Sequence, residues 1–434
     1  MSANNLVRST LIAITFPAIF ALSGCFSEDQ QHSPSGFAIG PPPANEPFDD
    51  YVSKTSQQIR TALKATRFDR EKAPFGKYTL DQVVSMRAPF AIGPDKDACE
   101  IVGNDQAHGK DVGFLLVHGL TDSPFLMTDI RDTLQSKFPC ATFHAVLLPG
   151  HGTVPGDLLN VQYQEWIETV RYGMDGFSSD IDHIIAIGYS TGATLIGREF
   201  DSRRRDHRMT AMVLLSPGFA AKSEQAWLSP YVRHVKSWVG KGENSDAAKY
   251  DSMAMNAAAE FHLLTEPYRN GTMDAFDIPV FMAVSSDDQT INPLVAADFF
   301  CNKVSANNKR LIWYQGEDHL IDEHQLCDKV DIVASAAPEW RTLNHAHTAI
   351  TMRPDNPHYG MDGIIRRCDH YDEQSPNSKC QTSSDVVYGE LNLAGSASPG
   401  SLRRGTFNPD FVSMLDKMTH FIEVSLNVPG KTAD

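Results

Sequence analysis

From residue 112 to residue 315 the chain alternates two patterns. Short continuous apolar runs at 112–117, 142–148, 181–187, 211–215, 278–284 and 311–314 carry no polar face. Such runs mark strands buried on both sides. Between them, at 125–138, 163–174 and 193–200, apolar positions recur at three- and four-residue spacing, which predicts helices with one buried stripe. Strand–helix alternation predicts a parallel sheet covered on both faces, the α/β class. A last amphipathic helix is expected at 411–424, and an added one with Ile59 and Leu63 at 51–67.

Two segments break the alternation. Residues 218–277 lie between two predicted strands and contain Trp227, Tyr231, Trp238, Met253, Met255 and Phe261, read first as the core of an inserted cap. Residues 354–409 are rich in Asp, Asn, Ser and Gly and read as a loop-rich elaboration. The folded part is expected over 49–434, as one core with insertions. Residues 26–48, with Ser33-Pro34-Ser35-Gly36 and Pro41-Pro42-Pro43, read as a flexible tether.

The first 25 residues read as an export signal: Arg8, an apolar stretch at 11–22 too short to span a membrane comfortably, then Leu22-Ser23-Gly24-Cys25. This ending resembles the bacterial lipobox, which implies lipid on Cys25 and anchoring in the cell envelope. Phe26 after the cysteine, by resemblance to Gram-negative lipoproteins, favours the outer membrane. The alternative is an ordinary secretory signal cut near Gly24. Six further cysteines suit an exported protein with disulfides, expected as Cys368–Cys380, Cys99–Cys140 and Cys301–Cys327; buried free thiols are the alternative. No C-x-x-C spacing points to zinc or redox chemistry. The formal charge of −16 argues against binding nucleic acid or anionic lipid by bulk charge.

The chemistry starts at Gly188-Tyr189-Ser190-Thr191-Gly192, between a predicted strand and a predicted helix. A turn this tight leaves no room for a Cβ at its flanks, and it lifts the serine hydroxyl above the sheet. A second piece, His118-Gly119-Leu120-Thr121-Asp122-Ser123-Pro124, follows the first core strand. Here His118 is expected to shape the loop. Then come Leu148-Pro149-Gly150-His151-Gly152-Thr153 and Gln164-Glu165-Trp166.

In this order and spacing, over about residues 110–300, these motifs resemble bacterial carboxylesterases and monoacylglycerol lipases of the α/β-hydrolase superfamily. Thr191 stands where the family usually has Met, and Ala193 where it has a second Gly. The resemblance implies an α/β-hydrolase fold, a doubly wound, mostly parallel sheet with a helical cap. It implies Ser190 as nucleophile and the N–H groups of Leu120 and Thr191 as oxyanion hole. Asp288-Gln289-Thr290-Ile291-Asn292-Pro293 matches the family's D-x-x-V-x-P, so Asp288 is the expected acid, with Asp287 as alternative. The base must follow the acid in the chain. His347 is favoured, because residues 347–360 and Asn408-Pro409-Asp410-Phe411 resemble exported hydrolases with a long C-terminal elaboration. His319 remains the alternative. His345 and His347 as a metal pair lack a third ligand at a supporting spacing.

The expectation is thus a membrane-anchored serine hydrolase of esters with an acyl chain (acylglycerol, lysophospholipid or short acyl ester), with no cofactor and no metal. Its rivals are an aminopeptidase-type hydrolase on the same fold and a non-catalytic binding protein on a hydrolase scaffold.

Overall fold

The computed structural model of the protein describes residues 30–66, 77–103, 105–202, 208–242, 246–317, 326–368, 370–371, 375–393, 397–398 and 400–427. The strands, in chain order, are β1 (Phe90–Ile92), β2 (Val112–Val117), β3 (Thr142–Val146), β4 (His183–Tyr189), β5 (Met209–Leu215), β6 (Trp238–Gly240), β7 (Met253–Ala254), β8 (Val280–Ser285), β9 (Lys309–Gln315), β10 (Val330–Ala334), β11 (Val387–Gly389) and β12 (Leu402–Arg404). Eight form one sheet in the order β1-β3-β2-β4-β5-β8-β9-β10. Only β1 runs antiparallel to its neighbour.

Successive side chains of a strand point to opposite faces, so each apolar run feeds two cores. On one face Phe114, Leu116, Ile185, Ile187, Val213, Leu215 and Phe281 pack with Ile130 and Leu134 of the helix Thr128–Lys137 and with Met414 and Met418 of the helix Phe411–Ser425. On the other, Leu115, Val117, Ile184, Ala186, Met212, Leu214 and Met282 meet Trp166, Val170, Leu195, Ile196 and Phe300. Those come from the helices Tyr163–Asp175, Thr191–Ser202 and Pro293–Lys303. Each fully buried Val, Leu, Ile, Phe or Met among them contributes about 1.5–3 kcal/mol of hydrophobic stabilisation. This is the doubly wound α/β sheet expected from the runs.

Three expectations need correction. Residues 30–47 are not a free tether. Ser35 donates its N–H and its hydroxyl to the two carboxylate oxygens of buried Asp157, each at 2.7 Å. Gly150 N–H donates to the Ile39 carbonyl, and Ile39 is buried. A Cβ on Gly156 would lie 2.1 Å from the Ser33 carbonyl oxygen, so glycine is what lets the strap lie flat. Second, the run 311–314 is not the last strand of the sheet. The chain makes a 3-10 turn at Pro338–Trp340, and the last strand of the sheet is β10, a half-exposed edge strand whose Asp331 hides its apolar pattern. Third, Trp227 and Tyr231 are not cap core; they are 57% and 70% exposed. In the cap the helical stretch of Ala226–Leu228 and Ser229–Val232 lies along the helix Met255–Leu264, and positions four apart share its outer face.

The cap also holds the small antiparallel pair β6–β7. The C-terminal elaboration holds the helix Ser375–Thr382 and the parallel pair β11–β12. Disulfides join Cys99 to Cys140, Cys301 to Cys327 and Cys368 to Cys380. No described helix is long and apolar enough to cross a membrane.

Candidate active site

The site is built at the C-terminal ends of β2, β4 and β8. β4 runs directly into the helix Thr191–Ser202 with no loop between them. The one residue that turns the corner is Ser190, at φ +54°, a left-handed conformation that costs a non-glycine residue roughly 1–3 kcal/mol. Its neighbours explain why the strain persists. A Cβ on Gly188 would sit 2.5 Å from Ala193 N, and one on Gly192 would sit 2.1 Å from the Val117 carbonyl oxygen. Ser190 N–H donates to the Leu215 carbonyl at 2.9 Å, and its own carbonyl accepts from Gly218 and Thr194.

The loop after β2 lies against this turn. A Cβ on Gly119 would be 3.1 Å from the Cβ of Ser190. Leu120 follows in this loop, and Thr191 opens the helix, where the first backbone N–H groups have no partner of their own within the helix. Two buried histidines shape the loop. His118 holds Gly119 O on Nδ1 at 2.8 Å and accepts Leu148 N–H on Nε2 at 3.1 Å. His151 accepts Thr121 N–H at 2.9 Å, with Thr121 itself at φ +66°. Burial and the neighbouring His151 push His118 well below its ordinary value; burial lowers His151 to about 4. Both are therefore neutral spacers. The cap adds Lys249 Nζ on Asp122 at 2.9 Å and Tyr250 N–H on the Thr121 carbonyl at 2.8 Å.

Asp288 sits in the loop after β8. Its Oδ1 accepts Thr290 N–H and Ile291 N–H, both at 2.8 Å, and its Oδ2 lies 2.6 Å from His347 Nδ1. His347 Nε2 is 3.0 Å from Ser190 Oγ. The structure thus brings Ser190, His347 and Asp288 into one continuous hydrogen-bonded line, all buried. Asp287 points elsewhere, packed against Gly316, where a Cβ would meet its Oδ1 at 2.1 Å. His345 is spent on Ser335 O at 2.8 Å and Asn408 Oδ1 at 3.0 Å, which leaves it no part in a metal pair. Among the described residues no cluster has the composition of a metal site. His319 and Cys25 lie outside the described residues.

A family model described as "Alpha/beta hydrolase family" matches residues 114–356, more than half of the chain. The chain belongs to the alpha/beta hydrolase family. This hydrolase is 25% identical over 223 residues to a carboxylesterase of Bacillus subtilis (strain 168), a match spanning 49% of this chain and 86% of that protein. Among solved structures it is similar to a soluble variant of monoglyceride lipase from Saccharomyces cerevisiae, with a TM-score of 0.41, 11% identity, 53% of this chain and 82% of that one. It is also similar to a monoacylglycerol lipase of Paleococcus ferrophilus, with a TM-score of 0.40, 16% identity, 52% of this chain and 88% of that one.

Several residues around the hydrolase's site escaped the sequence reading. Glu390 Oε2 accepts the backbone N–H of His347 at 3.1 Å. Asn408 fixes the same segment, taking His345 on its carbonyl oxygen and donating to the Ile350 carbonyl at 3.3 Å. Asp129, on the far helix, accepts Arg353 N–H at 2.8 Å and Asn356 Nδ2 at 2.9 Å. Nothing marks these as partners in the sequence, since each bond spans dozens to hundreds of residues. For Asn408 the one signal was its place in Asn408-Pro409-Asp410 before the last helix.

Proposed function

We propose that the protein is a membrane-tethered serine hydrolase of carboxylic esters, acting on acylglycerols, lysophospholipids or short acyl esters. The observation that carries this reading is the line Ser190 Oγ–His347 Nε2–His347 Nδ1–Asp288 Oδ2, at 3.0 and 2.6 Å. In the reaction Ser190 Oγ attacks the acyl carbonyl while His347 takes its proton. Asp288 holds the imidazole in the tautomer that presents Nε2 as acceptor, and stabilises the imidazolium. The oxyanion is received by the N–H groups of Leu120 and Thr191, a reading supported by how close the loop lies to the elbow, since a Cβ on Gly119 would be 3.1 Å from Ser190 Cβ. The alcohol leaves with the proton from His347, and water repeats the sequence to free the acid.

The similarity to a carboxylesterase supports an ester over an amide. Two buried carboxylates beside the site, Asp122 and Glu390, are engaged by Lys249 and Arg404, which leaves neither to clamp the amine of a peptide substrate. Two features support the tether. One is the lipobox-like Leu22-Ser23-Gly24-Cys25. The other is the packing of His32, seven residues after Cys25, edge-on against Trp238 of the cap at 4.9 Å. In that cap segment Trp227, Tyr231 and Val235 are 57%, 70% and 87% exposed. Cys25 is five residues from residue 30, a reach of roughly 17 Å when fully extended. A lipid on Cys25 therefore sets this apolar rim of the cap next to the bilayer.

The test is hydrolysis of p-nitrophenyl esters from acetyl to palmitoyl by the detergent-solubilised chain beside Ser190→Ala. Turnover that vanishes in the variant is expected, and the preferred chain length separates short esters from lipid substrates. Turnover that survives in Ser190→Ala, or none on any chain length with a folded protein, contradicts the reading.

A further inference from the structure

An ion pair in the C-terminal elaboration, with a fully buried carboxylate and a partly exposed guanidinium, reaches both partners of Ser190 at once. Glu390, just after β11, is fully buried. Its Oε2 accepts His347 N–H at 3.1 Å, and its Oε1 accepts Arg404 Nε at 2.8 Å and Leu391 N–H at 3.0 Å. Arg404 Nη2 reaches Oε2 at 3.2 Å and donates to Thr290 Oγ1 at 2.7 Å. Thr290 N–H donates to Asp288 Oδ1. The bonds close a ring: His347 backbone, Glu390, Arg404, Thr290, Asp288, and back to the His347 imidazole. Glu390 is fixed in turn by Asn344, whose Oδ1 accepts its N–H at 2.7 Å.

Stability alone is a weak reason for such a pair, because desolvating two charges offsets most of their attraction and an apolar pair of the same volume does as well. We propose that Glu390 and Arg404 are positioning residues for the base: the carboxylate fixes the His347 backbone, the guanidinium ties it to the acid loop, and their opposite charges cancel each other beside it. This rests on the reading of His347 as base. Both charges are retained at working pH. Burial opposes the charge on Glu390, but Arg404 outweighs it and holds the carboxyl below its ordinary value; Glu390 likewise outweighs burial and raises Arg404.

The other groups facing His347 are known. Asp288 is its partner on the acid loop. From the elbow the Tyr189 ring lies 5.3 Å away and donates its hydroxyl to the His347 carbonyl at 3.1 Å. Burial raises that phenol well above its ordinary value, so it stays neutral. On the oxyanion side Asp122 is balanced by Lys249. Removing one member of the Glu390–Arg404 pair therefore leaves an uncompensated charge that Tyr189 cannot offset.

Glu390→Gln keeps an acceptor for His347 N–H but leaves Arg404 positive, which disfavours the imidazolium. The acidic limb of kcat/KM then moves to lower pH by about 0.5–1 unit. Glu390→Gln/Arg404→Gln removes both charges and returns the limb to the wild-type position. Arg404→Lys keeps the charge and loses the fork, so kcat falls about 3–10-fold with the limb and KM unmoved. An unmoved limb in Glu390→Gln, or a limb that stays shifted in the double variant, overturns the proposal. Arg404 is partly exposed, so its leftover charge can reach water and Glu390→Gln is expected to fold. Should it not, Thr290→Val, at an exposed position, cuts the tie to the acid loop. It is expected to lower kcat about 3–10-fold at constant KM, and an unchanged kcat overturns the proposal. Wild-type turnover that survives Ser190→Ala counts instead against the serine-hydrolase reading, so the two failures are distinguishable.

Discussion

The nucleophile half and the base half of this site are built on opposite plans. Ser190 is placed by local sequence: strand, one left-handed residue, helix, with glycines where neighbouring backbone comes within 2.1–2.5 Å of a would-be Cβ. His347 sits in a single 3-10 turn, His347–Ala349, with no regular element on either side. It is held by bonds to residues far away in the chain: Tyr189, Asp288 and Glu390 directly, Asp129 and Asn408 through its flanks. A turn dictated by backbone sterics is rigid by itself. A histidine held by a polar network is only as well placed as its least stable contact, and it can be tuned through charge.

The largest expected effects break both halves. Ser190→Ala and His347→Ala should each lower kcat by about 10⁴-fold or more, in a folded protein. Asp288→Asn, which reverses the imidazole tautomer, should cost about 10³–10⁴-fold, whereas Asp287→Asn should cost less than about 10-fold. Steady-state ester kinetics decide each, and a larger loss in Asp287→Asn than in Asp288→Asn would reverse the assignment of the acid.

An intermediate effect separates the halves. The Arg403 Nε bonds to the Cys380 carbonyl at 2.9 Å, so the Cys368–Cys380 bridge lies close behind the strand that bears Arg404. Replacing both cysteines by Ser should lower kcat several-fold and stability by about 2–4 kcal/mol. Replacing Cys301 and Cys327 should lower stability comparably and leave kcat within about 2-fold. Thermal melts and kcat on the same samples check the contrast; equal losses of kcat would show that the C-terminal region has no special hold on the base.

The smallest effect concerns acid. His118 and His151 are kept neutral under the oxyanion loop, and His144 is stacked between Phe48 at 3.8 Å and Phe177 at 4.1 Å. Burial lowers His144 to about 4 as well. Unfolded histidines bind protons from about pH 6.5 downward. The unfolded state therefore gains protons that the folded state refuses between about pH 6.5 and 4. Stability from these groups is complete above that window and is lost as pH falls through it. Urea melts from pH 8 to 4 should show a flat stretch above about 7 and a decline below. Asp246 adds to the decline on the acid side, since His358 and Arg367 overcome its burial and hold its carboxyl below the ordinary value.

This contrast also explains what could be read from the chain. Fully buried strands such as Val112–Val117 write themselves as unbroken apolar runs, so β2, β3, β4, β5, β8, β9 and the helix Thr191–Ser202 follow from pattern alone, whereas the three-residue β1 is too short to show one. β10 does not, because an edge strand keeps polar residues such as Asp331, which pairs with Arg310 and Lys417. Residues 30–47 have a tether's composition, and only the buried carboxylate of Asp157 makes them a strap. The motif blocks gave Ser190, Leu120, Thr191 and Asp288 as candidates. Glu390 and Arg404 carry no local signature: a buried Glu in Tyr388-Gly389-Glu390 looks like any loop carboxylate until its partner, fourteen residues on, is placed beside it.

The most direct measurement is peptide mapping by mass spectrometry after a fluorophosphonate reacts with the full chain, alongside Ser190→Ala, His347→Ala and His319→Ala. The account predicts one adduct, on the peptide containing Ser190, absent from Ser190→Ala. The rate of labelling should fall about 10³-fold or more in His347→Ala and stay near wild type in His319→Ala. An adduct on another residue, or fast labelling in His347→Ala with slow labelling in His319→Ala, would contradict it.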